Sequence, residues 1–125
     1  MGIPNKITDD QTLNNLTKSI CSTLNISTKL GKRATKIALK NLLVLDRKNQ
    51  DYGSEGLKRH GDFGVLIRLG DKLSRLDNLY KQRNNPNDEE LIETFESIDD
   101  SWLDSANYAL IGQTLREIGS QKSEI

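Results

Sequence analysis

Two sets of polar residues recur at helical spacing in the second half of this 125-residue chain. Arg68, Asp71, Arg75 and Asn78 fall at 3-4-3 intervals, and Glu96, Asp100, Asp104 and Asn107 at 4-4-3. On helices, each set lines one face. Carboxylates stacked at i, i+4 repel by a few tenths of a kcal/mol per pair. No Lys or Arg occurs between residues 84 and 115 to relieve them on the same helix. Relief must come from outside, and two sources present themselves. One is Arg68 and Arg75 of the other helix, which makes a structural ion-pair network. The other is a divalent cation held by Glu96, Asp100 and Asp104 with Asp71 facing them. Mg²⁺ suits such a set, with Mn²⁺ as the alternative ion, because it takes carboxylate oxygens, keeps several waters and bridges to phosphates.

Other chemistries lack their residues. The single cysteine, Cys21, excludes a disulfide framework and a Cys-based zinc site. The single histidine, His60, excludes the His-pair zinc hydrolases and leaves little for a Ser-His or Cys-His nucleophile. Any enzyme here works through carboxylates, a hard metal, or both.

Zero net charge conceals a segregated distribution. Residues 29–83 carry 14 Lys/Arg and 6 Asp/Glu, and residues 84–115 carry 8 acids and no Lys or Arg. The two segments either neutralise each other or set a cation-binding surface beside a phosphate-binding one. The basic run Lys29, Lys32, Arg33, Lys36 and Lys40 hints at nucleic acid. The acidic segment, a pI of about 6.6 and scarce aromatics argue against it.

These residues need helices to position them. Leu and Ile far outnumber Val, which favours helices over strands. Thr8-Asp9-Asp10-Gln11 reads as a capping box with Thr8 at the N-cap. A first helix runs to about Leu24 with Leu13, Leu16, Ile20 and Leu24 on one face and Cys21 on its apolar side. A turn over 25–31 precedes a second helix over 32–49. Its inward positions are Ala34, Ile37, Ala38, Leu42, Leu43 and Leu45. Residues 50–62, with Gly53, Gly56 and Gly61, read as a loop from which Lys58, Arg59 and His60 could reach an anion, and Tyr52 could stack on a base. A third helix over 63–82 packs through Leu66, Leu69, Leu73, Leu76 and Tyr80, and Asn84–Asn87 ends it. A short turn or helix over 88–93 leads to a fourth helix over 97–118, stopped by Gly119, with Trp102 in the core. The expectation is a single all-α domain over 1–125, a bundle of four to five helices, with 1–7 and 120–125 flexible. No stretch approaches the roughly 20 apolar residues of a membrane span, and no apolar signal core stands near Met1.

Three segments in order carry a resemblance. They are Lys48–Gly53 (Lys-Asn-Gln-Asp-Tyr-Gly), Gly64–Leu79 with its Arg68-x-x-Asp71-Lys72-x-x-Arg75-Leu76 core, and Glu96–Ala109 with Asp100-x-x-x-Asp104-x-x-Asn107-Tyr108. Over about residues 40–112 the chain resembles the nucleotide modification associated domain 1 family of phages and bacteria. That family looks like a divergent branch of the all-α nucleoside triphosphate pyrophosphohydrolases, the MazG-like and dimeric dUTPase-like superfamily. The resemblance implies Mg²⁺-dependent hydrolysis of a nucleotide phosphoanhydride in phage nucleotide or modified-base metabolism. It implies Asp71 and Asp104 as catalytic carboxylates and Glu96, Asp71, Asp100 and Asp104 as metal ligands. Arg68, Lys72 and Arg75 become phosphate clamps, and Asp51, Tyr52 and Asn107 contacts to sugar or base. It also implies a homodimer or higher homo-oligomer in a bacterial or phage-infected cytoplasm. The chain departs from the superfamily pattern: Arg68 stands where a second acid belongs, and Asp100 and Asp104 are four apart rather than three. Three readings therefore stay open: an enzyme, a nucleotide-binding protein without turnover, and a structural helical oligomer.

Overall fold

The computed structural model describes residues 9–82 and 88–125, with the backbone alone described over 88–96. The protein is all-α, and no strand occurs among the described residues. Four helices follow one another: α1 (Asp10–Leu24), α2 (Lys29–Tyr52), α3 (Glu55–Gln82) and α4 (Asp88–Ile118), and a 3-10 turn spans Lys122–Glu124. No described helix is long and apolar enough to cross a membrane. The chain gathers into two compact units, Met1–Lys48 and Asn49–Ile125.

In the first unit, α1 starts one residue later than the capping box proposes. Asp9 holds the N-cap position with no side-chain cap bond, and Thr8 lies outside the described residues. Asn25 ends the helix in the left-handed region (φ 57°, ψ 37°). Its N–H donates to the Ser22 carbonyl at 3.3 Å, and the Ile26 N–H donates to the Cys21 carbonyl at 2.9 Å. This is a Schellman closure, which satisfies the last carbonyls of the helix. Thr28 caps α2 by accepting the Gly31 N–H at 2.9 Å, so the helix begins before the expected position and continues to Tyr52.

The buried line of α1 is Leu13, Thr17 and Cys21, not the leucine stripe; Leu16 and Leu24 are exposed. Thr17 enters this line because its hydroxyl donates back to the Leu13 carbonyl at 2.7 Å and so arrives already paired. In α2, Ala34, Ile37, Ala38 and Leu42 are exposed, while Leu43 and Leu45 are half-buried. Lys36 is drawn in by Asp10, at 2.8 Å. The Lys36 hydrogen bond and charge hold the Asp10 carboxyl below its ordinary range.

The second unit is built on α3 and α4, which pack along each other. The expected glycine-rich loop is mostly helix. α2 runs through Asp51 and Tyr52, the chain breaks at Gly53–Ser54, and α3 starts at Glu55. What remains irregular is Gly61, whose backbone (φ 65°, ψ −163°) kinks α3. That combination is essentially confined to glycine. The C-terminal turn meets the kink: Lys122 Nζ donates to the Lys58 carbonyl at 2.9 Å. An ammonium there serves a carbonyl close to where the kink interrupts the helical pattern.

α4 is one helix where a turn and a shorter helix are expected. Glu96, Asp100 and Asp104 therefore do share a continuous helix. The proposed helix stop at Asn84–Asn87 lies outside the described residues.

Candidate functional site

Cross-helix contacts fix the register of α3 and α4. Lys58 meets Lys122, Asp62 meets Arg116 at 3.9 Å, Lys72 meets Asp104 at 3.0 Å, and Tyr80 meets Trp102 at 2.8 Å. Numbers rise on α3 as they fall on α4, so the helices are antiparallel. Lys72–Asp104 and Tyr80–Trp102 lie on opposite sides of the shared line. At 100° per residue, Val65, Leu69 and Leu76 of α3 fall between them, as do Ser101 and Ser105 of α4. Large side chains on one helix thus meet small ones on the other, which lets the axes approach.

This register rotates α3 away from the expected leucine stripe. Val65 and Leu76 are buried and Leu69 is half-buried, but Leu66 and Leu73 are exposed and Tyr80 stands at the margin. Trp102, expected in the core, is also exposed; its indole Nε1–H donates to the Tyr80 hydroxyl. Among the small residues of α4, Ser105 Oγ donates to the Ser101 carbonyl at 2.7 Å. Ser101 is the most deeply buried residue of the set, and its hydroxyl finds no partner among the described residues.

The polar side carries most of the candidate residues. Lys72 Nζ and Asp104 Oδ2 form a part-buried ion pair across the two helices. Arg68, Asp71 and Arg75 flank Lys72 on α3 and are exposed. Asp100 is exposed one turn before Asp104, and Asn107 is buried one turn after it. Neither Arg68 nor Arg75 forms an ion pair among the described residues; it is Lys72 that pairs with Asp104. Asp51 and Tyr52 are exposed on the last turn of α2. Lys58 pairs with Glu55 at 3.6 Å, and Arg59 and His60 are exposed on the first segment of α3. The side chain of Glu96 lies outside the described residues.

Carboxylate oxygens on both helices are the donor type a hard cation takes. Among the described residues, however, no three Asp, Glu, His or Cys side chains are grouped closely enough to hold a metal ion. Asp104 is engaged by Lys72, so the described donors are not preassembled around a cation. The pattern of charges missed this pairing because it singled out the two arginines. The signal lay in the 65-69-72-76-79 register, which carries Lys72 to the edge of the seam. The Trp102–Tyr80 bond and the Lys122 contact have no local sequence signature. No family model, curated protein or solved structure matches the chain.

Proposed function

We propose that the α3–α4 unit binds a nucleotide through its phosphates and acts as a Mg²⁺-dependent nucleoside triphosphate pyrophosphohydrolase-like protein. Its setting would be phage nucleotide or modified-base metabolism in the cytoplasm, and its working form a homodimer or higher homo-oligomer. The carrying observation is the Lys72–Asp104 pair. It holds a cation of α3 and a carboxylate of α4 together, part-buried, beside exposed Arg68, Arg75, Asp71 and Asp100. A metal-bound polyphosphate offers each member of that pair a new partner of the same sign as the old one. Lys72 exchanges the carboxylate for phosphate oxygens, and Asp104 becomes available to the cation. Arg68 and Arg75 add bidentate donors for the same oxygens. Asp71, Asp100, Asp104 and Glu96 are the residues to hold Mg²⁺, with Asp71 and Asp104 nearest the chemistry. The ion would supply neutralisation of charge on the phosphates during attack by water. Asp51, Tyr52 and Asn107 take the sugar and base. The ordered resemblance of the three segments supports the same assignment.

A second reading, a nucleotide-binding protein without turnover, draws on the absence of a preassembled carboxylate cluster among the described residues. Thermal-shift screening against nucleotides, with and without Mg²⁺, followed by a pyrophosphate-release assay, separates the readings. A nucleotide that stabilises only with Mg²⁺ and is cleaved, both effects being lost in Asp104→Asn, is the expected result. Stabilisation by a nucleotide that survives intact selects the second reading. No shift with any nucleotide or metal leaves Lys72–Asp104 as a structural ion pair and refutes the proposal.

A further inference from the structure

The bend in α3 depends on glycine at two positions. Gly61 lies in a backbone region that other residues all but avoid (φ 65°, ψ −163°). Gly64 is the second. A Cβ built on it would stand 2.5 Å from the His60 Cβ. In a straight helix, Cβ atoms four residues apart are about 5–6 Å from each other. The bend has therefore swung His60 onto the place a side chain at position 64 would take, and a glycine leaves that place open. The segment ahead of the bend, residues 55–60, is joined to α2 through Gly53, which also has a positive φ (70°). A short helical segment thus stands between two glycine joints, positions at which a chain readily absorbs a change of backbone angles.

Contacts from the far end of the chain hold the bent form. Gly119 closes α4 at φ 58°, and its N–H donates to the Leu115 carbonyl at 3.2 Å. The chain turns back there, and the turn Lys122–Glu124 sets Lys122 Nζ 2.9 Å from the Lys58 carbonyl oxygen, ahead of the bend. Beyond the bend, Arg116 stands 3.9 Å from Asp62. In a continuous helix the Lys58 carbonyl accepts the N–H of residue 62. In the bent form an ammonium serves that carbonyl, and a charged donor makes a bond roughly twice as strong as a neutral one. A straight α3 would regain regular geometry at Gly61 and separate His60 from Gly64. It would also carry Lys58 away from Lys122. The balance between the two forms therefore turns on the Lys122 contact.

We infer that Lys122 is a latch: its ammonium on the Lys58 carbonyl holds residues 55–60 in the bent position, and its release lets the segment straighten onto the rest of α3. The latch sets the direction in which Arg59 and His60 are presented. It goes beyond the proposed function and needs neither nucleotide nor metal, so either can fail alone. Electron-spin distance measurement on the full chain tests it, with nitroxides on Gly56→Cys and Ser74→Cys and with Cys21→Ala. A Cβ at Gly56 meets nothing within 4 Å, and Ser74 is exposed, so both positions accept a label. Eighteen residue steps of straight helix span about 27 Å. The latched chain should give a separation shorter than a straight helix requires. Lys122→Met should move the main peak to the straight-helix distance, with circular dichroism confirming that the chain remains folded. Gly64→Ala, whose methyl group the bent form cannot seat, should do the same with Lys122 intact. A parent chain already at the straight-helix distance overturns the inference. So does a Lys122→Met distribution that matches the parent's, or one that broadens without a peak at the longer distance.

Discussion

Removing the Lys72–Asp104 pair should loosen α3 from α4 by an amount the geometry bounds. The charged atoms are 3.0 Å apart, and the side chains are 30% and 20% exposed. At an effective dielectric constant of about 20 the direct attraction is about 5 kcal/mol. Desolvation of both groups offsets most of it. Exposed pairs retain about 0.2–1 kcal/mol, and breaking a buried pair from one side costs about 3–5 kcal/mol. With most of both side chains out of water, Asp104→Asn or Lys72→Met alone should cost about 2 kcal/mol. Asp104 makes a further interaction besides Lys72, so its single substitution removes more than the pair. The double-mutant cycle isolates the pair, and its coupling energy should be about 1–2 kcal/mol. Trp102, the only tryptophan, sits on the same helix two residues from Asp104, so its fluorescence reports unfolding of this unit in urea. A coupling below about 0.3 kcal/mol would refute the reasoning. It would mean that the two charges are independently solvated and that Lys72 is not what a ligand has to displace from Asp104.

Three further outcomes follow from single positions. Gly61→Ala forces a side chain into a backbone region that only glycine occupies freely and should destabilise by about 1–3 kcal/mol, read from the urea midpoint; an unchanged midpoint would mean that the kink is absent in solution. Ser101→Ala removes a buried hydroxyl without a described partner, so it should be neutral or stabilising by up to about 1 kcal/mol; a loss above about 1 kcal/mol would show that the hydroxyl is bonded. Asp10, held below its usual range by Lys36, contributes stability that is present above the unfolded carboxylate pKa and is lost as pH falls through the lower folded value. Lys36→Met should raise the Asp10 titration midpoint, followed by carboxyl-carbon NMR, and flatten this acid-side loss; an unmoved midpoint would refute the pairing.

The class of the fold and the ends of α1 and α4 are legible in the sequence because they are local properties, whereas the loop expected over 50–62 is mostly helix. A Leu- and Ile-rich chain with 3.6-residue periodicity forms helices, and Asn25 and Gly119 close α1 and α4 through left-handed conformations that such residues adopt readily. The helix beneath Glu96, Asp100 and Asp104 is longer than the expected span of 97–118 and runs from Asp88. The facing of the helices is not a local property. α3 carries Phe63, Val65, Leu66, Ile67, Leu69, Leu73, Leu76 and Leu79 on several sides, so two stripes sharing Leu69 and Leu76 fit the periodicity equally well. Only the small buried residues Ser101 and Ser105 of α4, brought opposite in the antiparallel register, select the one containing Val65. That rotation turns Lys72, rather than Arg68 or Arg75, toward Asp104 and leaves Leu66 and Leu73 in the open. Residue type and spacing determine which chemistry the chain can carry; which charges meet depends on a rotation of α3, and packing between residues about 30 apart in sequence sets it.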